Sequence, residues 1–97
     1  MQIDQDDVTI TLSRAEAVVL FDMLGREIED RNAAALRAAS GHDAEIWALN
    51  NLFCVLQATL WEPYSGKFAA IADAARDTLS QRCGGAWPWP SAQEGQE

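Results

Sequence analysis

The sequence predicts an all-α fold, a three-helix bundle with a short N-terminal extended arm or strand. Three observations carry this. A capping box at Ser13-Arg14-Ala15-Glu16 opens a run with helical apolar spacing. Residues 44–61 place Ile46, Leu49, Phe53, Leu56 and Leu60 at steps of three and four, with no charge between Glu45 and Glu62. After the break at Glu62-Pro63, a third stripe runs through Phe68, Ile71, Ala72, Ala75 and Leu79. The expected helices are 13–38, 43–62 and 66–82.

Taken in order, residues 1–7 are polar and acidic and are expected to be disordered. Residues 8–83 form a single helical domain, and 84–97 a Trp/Pro-containing extended tail. Val8-Thr9-Ile10-Thr11-Leu12 alternates apolar and polar with β-branched residues, the pattern of a strand or arm. Such a strand has unpaired edges. It must lie on the helices or pair with a second copy or another protein.

In the first helix Ala17, Leu20, Phe21, Leu24 and Ile28 form one stripe, opposite Asp22, Arg26, Glu29 and Asp30. Arg26 is placed to bridge Asp22 and Asp30, each four residues away. Gly25 either admits a close neighbour or marks a bend. Residues 32–39 are strong helix formers that either extend this helix or connect loosely. Ser40-Gly41 stops it, and Asp43 is the expected N-cap of the second helix. That helix is apolar nearly all round, which predicts a central position and a buried Cys54. Pro63 ends it. Tyr64 is expected to anchor the turn, Ser65 to cap the third helix, and Gly84 to close it.

Composition narrows the function. The 97 residues hold fifteen Asp and Glu against seven Lys and Arg, a net charge of -8. A nucleic-acid binder needs a basic face, and so does a protein that docks on anionic lipid. No apolar run approaches the roughly 18–20 residues of a membrane span. Asp4, Asp6 and Asp7 are unlike the basic start of a secretory signal. The expected setting is the cytoplasm, with Cys54 and Cys83 as reduced thiols. One histidine, His42, sits in a turn-like Ser-Gly-His-Asp. Two scattered cysteines and that histidine give no metal set, and no Gly-rich phosphate loop follows a strand. No cofactor, no metal and no enzymatic activity are expected.

Two features point to protein binding. Residues 1–30 hold eight acids and two bases, so six of the eight net negative charges lie in the first third. Such a field either solubilises the chain or steers a basic partner onto it. There are four Trp in the chain, and this residue is enriched in binding hot spots. The candidate partner-binding residues are Asp22, Glu29 and Asp30 for charge, and Trp47, Asn51 and Trp61 for buried contact. Exposed apolar surface on the second helix also predicts a homodimer.

The residues carry a resemblance as well. Leu12-Ser13-Arg14-Ala15-Glu16-Ala17, Trp47-Ala48-Leu49-Asn50-Asn51-Leu52, Glu62-Pro63-Tyr64 and Ala75-Arg76 are similar to the pattern of a group of small acidic bacterial helical proteins. These are uncharacterised or immunity-like proteins that accompany toxins. The resemblance spans about residues 8–80. It implies a non-enzymatic inhibitor, antitoxin-like, that occludes a basic toxin domain, and carries over no inhibitory residue. The alternative from the residues themselves is a homodimeric structural or regulatory adaptor without a toxin.

Overall fold

A computed structural model describes residues 6–87. The expected acidic leader falls mostly on residues 1–5 and most of the Trp/Pro tail on 88–97, both outside the described residues. Among the described residues the architecture is all-helical, with four α-helices where three were expected: α1 (Arg14–Leu24), α2 (Ala34–Ala39), α3 (Asp43–Thr59) and α4 (Phe68–Cys83).

The capping box at the start of α1 is formed as expected. The Glu16 amide donates to the Ser13 hydroxyl (3.1 Å), and the Ser13 amide donates to Glu16 Oε1 (2.7 Å). The bond from the Ser13 backbone, helped by the Ser13 hydroxyl, holds the Glu16 carboxyl below the ordinary glutamate range.

The first predicted helix, 13–38, is in three pieces. After Leu24 the chain widens into a π-helical turn, Gly25–Asp30. Asn32 and Ala33 then take left-handed backbone angles (φ 50° and 56°). Past Ile28 the apolar stripe meets only alanines until Leu36, too little to hold a straight helix on the core. The chain turns instead, burying Ala33 and closing a hydrogen bond from its amide to the Glu27 carbonyl (2.7 Å). These gains offset the roughly 1–2 kcal/mol that a left-handed non-glycine residue costs. α2 follows as a short separate helix.

The N-terminal strand is not found. Among the described residues there is no strand, and residues 8–12 have no ladder partner. Val8 and Ile10 are exposed, and only Leu12 packs against the core.

α3 is capped by His42, not Asp43. The imidazole Nδ1 accepts from the Ala44 amide (2.9 Å), and Asp43 is the first helical residue. The helix stops at Thr59, before the single 3₁₀ turn Glu62–Tyr64 that Pro63 favours. Tyr64 anchors this turn by donating its hydroxyl to the Gln57 carbonyl (3.2 Å). Ser65 is not the cap of α4. Its Oγ accepts from the amide of Lys67, which holds that position (3.1 Å). Gly84 closes α4 in the left-handed conformation (φ 101°).

The central helix is α1, whereas the apolar run of α3 had pointed to α3. α1 packs most extensively on α4 and also on α3, while α3 and α4 barely meet. Val18 and Leu24, both in α1, are the largest fully buried side chains. Ala72 and Ala75 of α4 are buried, so α4 approaches on small residues. Three phenylalanines tie the layers together: the Phe21 ring stacks on Phe53 of α3 (centroids 5.1 Å apart) and meets Phe68 of α4 edge-on (5.7 Å). Among the described residues α3 packs mainly on α1 and the small α2, and its far side stays open. Cys54, expected in the core, is exposed, and Val55 is 61% exposed.

Candidate functional site

Two surfaces hold five of the six candidate residues, and Trp61 lies apart from both. The first is a cleft of about 170 Å³ over the phenylalanine cluster. Phe21, Phe53 and Phe68 line its floor, and Asp22, Arg26, Glu29 and Asp30 line its rim. Gly25 opens it: a Cβ there would stand 3.3 Å from the Phe53 ring, so the missing side chain is what lets α3 come close. Both readings of Gly25 apply, because it also begins the π-helical turn.

The rim acids are not equivalent. Asp22 accepts from Arg76 of α4 (2.8 Å) and from Arg26 (3.3 Å), and Arg76 also donates to Asp73. Asp22 therefore fastens α1 to α4 and is not a free charge. Arg26 bridges Asp22 and Glu27, not Asp30. Glu29 and Asp30 are exposed on the π-helical turn. Next to them, Glu27 gives one oxygen to Arg31 (3.1 Å), and its other oxygen is buried without a hydrogen bond.

The second surface is the outer face of α3. Trp47 is 65% exposed and Asn51 is exposed. At about 100° per residue, Trp47 lies roughly 120° and Asn51 roughly 160° around the axis from Phe53. The acids and the helical tryptophan therefore do not share one face, contrary to the single acidic, tryptophan-bearing surface expected. Trp47 instead borders a groove of about 300 Å³ with Ile28, Ala33 and Arg37. Trp61 lies beyond the end of α3, with the Arg14 guanidinium 6.0 Å from its ring centroid.

The same arginine holds a pair that sequence reasoning missed. Glu62 is only 3% exposed, and its carboxylate accepts from Arg14 Nε (2.5 Å) and Nη2 (3.2 Å). Burial pushes this carboxyl up. The Arg14 hydrogen bond, the amides of Glu62 and Trp61 and the Arg14 charge outweigh it and hold the group below the ordinary range. The two residues are 48 apart, so no local spacing rule pairs them.

No family model, curated protein or solved structure matches the chain.

The site must therefore be read from its own chemistry. Among the described residues, no group of three His, Cys, Asp or Glu side chains could hold a metal ion. No helix among them is long and apolar enough to cross a membrane. The His42 Nδ1 accepts from the helix-cap amide of Ala44. The cleft offers negative charge over an apolar floor. That suits the aliphatic stem and cationic head of a lysine or arginine.

Proposed function

We propose that this chain is a protein-binding module, a non-enzymatic immunity- or antitoxin-like inhibitor that occludes a basic partner domain in the cytoplasm. The observation supporting it is the acid-rimmed, phenylalanine-floored cleft between α1, the π-helical turn and α3. Its free acids, Glu29 and Asp30, sit where a basic side chain would enter, and the surrounding -8 field speeds encounter with a cation-rich surface. The toxin-neutralising part of the reading comes from the resemblance of residues 8–80 to immunity-like proteins.

The test is titration calorimetry against basic domains encoded beside this gene, at low and moderate salt. Binding that weakens with salt, and that Glu29→Lys with Asp30→Lys abolishes, supports the reading. Asp22 is left intact because it fastens α4. If no neighbouring basic domain binds, or the double reversal changes nothing, the reading fails.

A second reading, a homodimeric adaptor, is favoured by a different observation: the open, chargeless outer face of α3. Self-association through that face would leave the cleft free, because the two lie on different sides of α3; the adaptor reading differs from the first in having no toxin partner.

A further inference from the structure

Arg26 is the one cation among the residues that line the phenylalanine-floored cleft, and its side chain is 43% exposed at the mouth. Its guanidinium is loosely held, 3.3 Å from Asp22 and 3.6 Å from Glu27. Each of those acids has a second and closer arginine. Asp22 has Arg76 at 2.8 Å, and Glu27 has Arg31 at 3.1 Å. Arg26 can therefore swing out and leave neither carboxylate unpaired. We propose that the cleft takes the guanidinium of a partner arginine, and that Arg26 is the internal guanidinium it displaces. The inference rests on the cleft as the partner site of the proposed inhibitor. It adds the side chain that enters and the residue that competes with it.

Size selects a single side chain. The cleft measures about 170 Å³. An apolar cavity of roughly 150 Å³ takes one benzene molecule. The space suits one side-chain head with its last methylenes.

Chemistry selects arginine over lysine. A lysine ammonium is compact and strongly hydrated, and it gives up water reluctantly over an apolar floor. A guanidinium is planar and more weakly hydrated, and it lies flat on an aromatic face. Phe21 and Phe68 are only half-buried, so ring surface is open to it. Glu29 and Asp30 are exposed on the rim and make no ion pair among the described residues, so both have acceptors to offer its donors. The mouth already accommodates one such group, that of Arg26 itself.

Like charge makes the entry an exchange. A second cation set beside Arg26 is repelled at close range. Departure of Arg26 removes that repulsion and opens Asp22 to the newcomer. The departure is cheap, because an ion pair made by an exposed arginine contributes little.

The test titrates the tripeptide acetyl-Gly-Arg-Gly-amide into the full chain at low salt, with its lysine counterpart as the comparison. All three phenylalanines of the chain line the cleft, so every phenylalanine ring signal in the NMR spectrum reports on it. The expected results are moved ring signals and binding of the lysine peptide about threefold weaker than that of the arginine peptide. Arg26→Gln should bind the arginine peptide about three- to fivefold more tightly than the wild type. Arg37→Gln removes the same charge beside the other groove and should leave the affinity near that of the wild type. Equal affinity for the two peptides overturns the assignment to arginine. An Arg26→Gln protein that binds no tighter, or an Arg37→Gln protein that gains as much, overturns the displacement of Arg26. Ring signals that move with neither peptide overturn both, and a basic domain that still binds in calorimetry then leaves the inhibitor reading standing. Arginine binding with the stated Arg26 dependence, where no basic domain binds, sustains the site and defeats only the inhibitor reading.

Discussion

At the scale of single residues, Arg14 is the hinge of the structure. It fastens the buried Glu62 to the start of α1 and lies over Trp61. Removing it leaves a buried carboxylate without its partner, so Arg14→Ala is expected to cost about 1–3 kcal/mol, read from the urea midpoint. The pH dependence has a definite sign. Glu62 has its folded pKa lowered, so its stabilisation is present above the unfolded value near ~4.3 and is lost as pH falls through the folded value. Stability of the native protein should therefore drop on acidification below about pH 5, and the drop should be shallower in Arg14→Ala. Gly25 gives a second test. Its φ of -62° suits any residue, and alanine would gain about 1 kcal/mol of helix propensity. The added Cβ, however, meets a Phe53 ring that is buried and stacked on Phe21. Overpacking of about 1–3 kcal/mol outweighs the gain, so Gly25→Ala should destabilise by roughly 1 kcal/mol. The sequence marked Gly25 as anomalous, since glycine inside a helical pattern has a price. It was silent on Glu62, because a charge pair separated by 48 residues leaves no periodic trace.

At the scale of elements, what was legible followed from local chemistry. The capping box and the left-handed Gly84 each depend on residues within one turn, and each is where the spacing put it, whereas α3 stops at Thr59, three residues short of the expected 62, with Leu60 already extended. Ser13→Ala removes the acceptor of the Glu16 amide and of Arg82 Nη1 (3.1 Å), and should cost about 1 kcal/mol in thermal or chemical unfolding. What was not legible depended on partners. Alanines 33–35 read as good helix, yet they have too little apolar surface to pay the chain for staying straight, and the left-handed Asn32 and Ala33 interrupt it. Residues 8–12 read as a strand or extended arm by alternation; a strand needs a ladder, and among the described residues none is available. The chargeless run of α3 read as a central helix. The same pattern suits a helix with one face on α1 and the other left for a second chain, and periodicity alone does not distinguish an intramolecular neighbour from an intermolecular one. The candidate acids and tryptophans were likewise found as residue types. Their division between two faces came only from knowing which side of α3 holds Phe53.

At the scale of the whole molecule, the two proposed contacts respond to salt in opposite directions. Two copies of a chain with net charge -8 repel each other, and the outer face of α3 carries no charged side chain beyond its first turn, where Asp43 and Glu45 lie. Screening reduces only the repulsion, and salt also favours burial of the tryptophan and valine. Self-association should therefore tighten between 50 and 500 mM salt, conditions under which the Debye length falls from about 14 to about 4 Å. A basic partner in the cleft is drawn by Glu29, Asp30 and the surrounding field, so its binding should weaken over the same range. Sedimentation of the protein alone and calorimetry with the partner, each run as a salt series, give two slopes. Opposite signs are what separate faces on α3 require. Slopes of the same sign would mean that one surface serves both contacts, and Val55→Glu would then impair partner binding as strongly as it impairs the dimer.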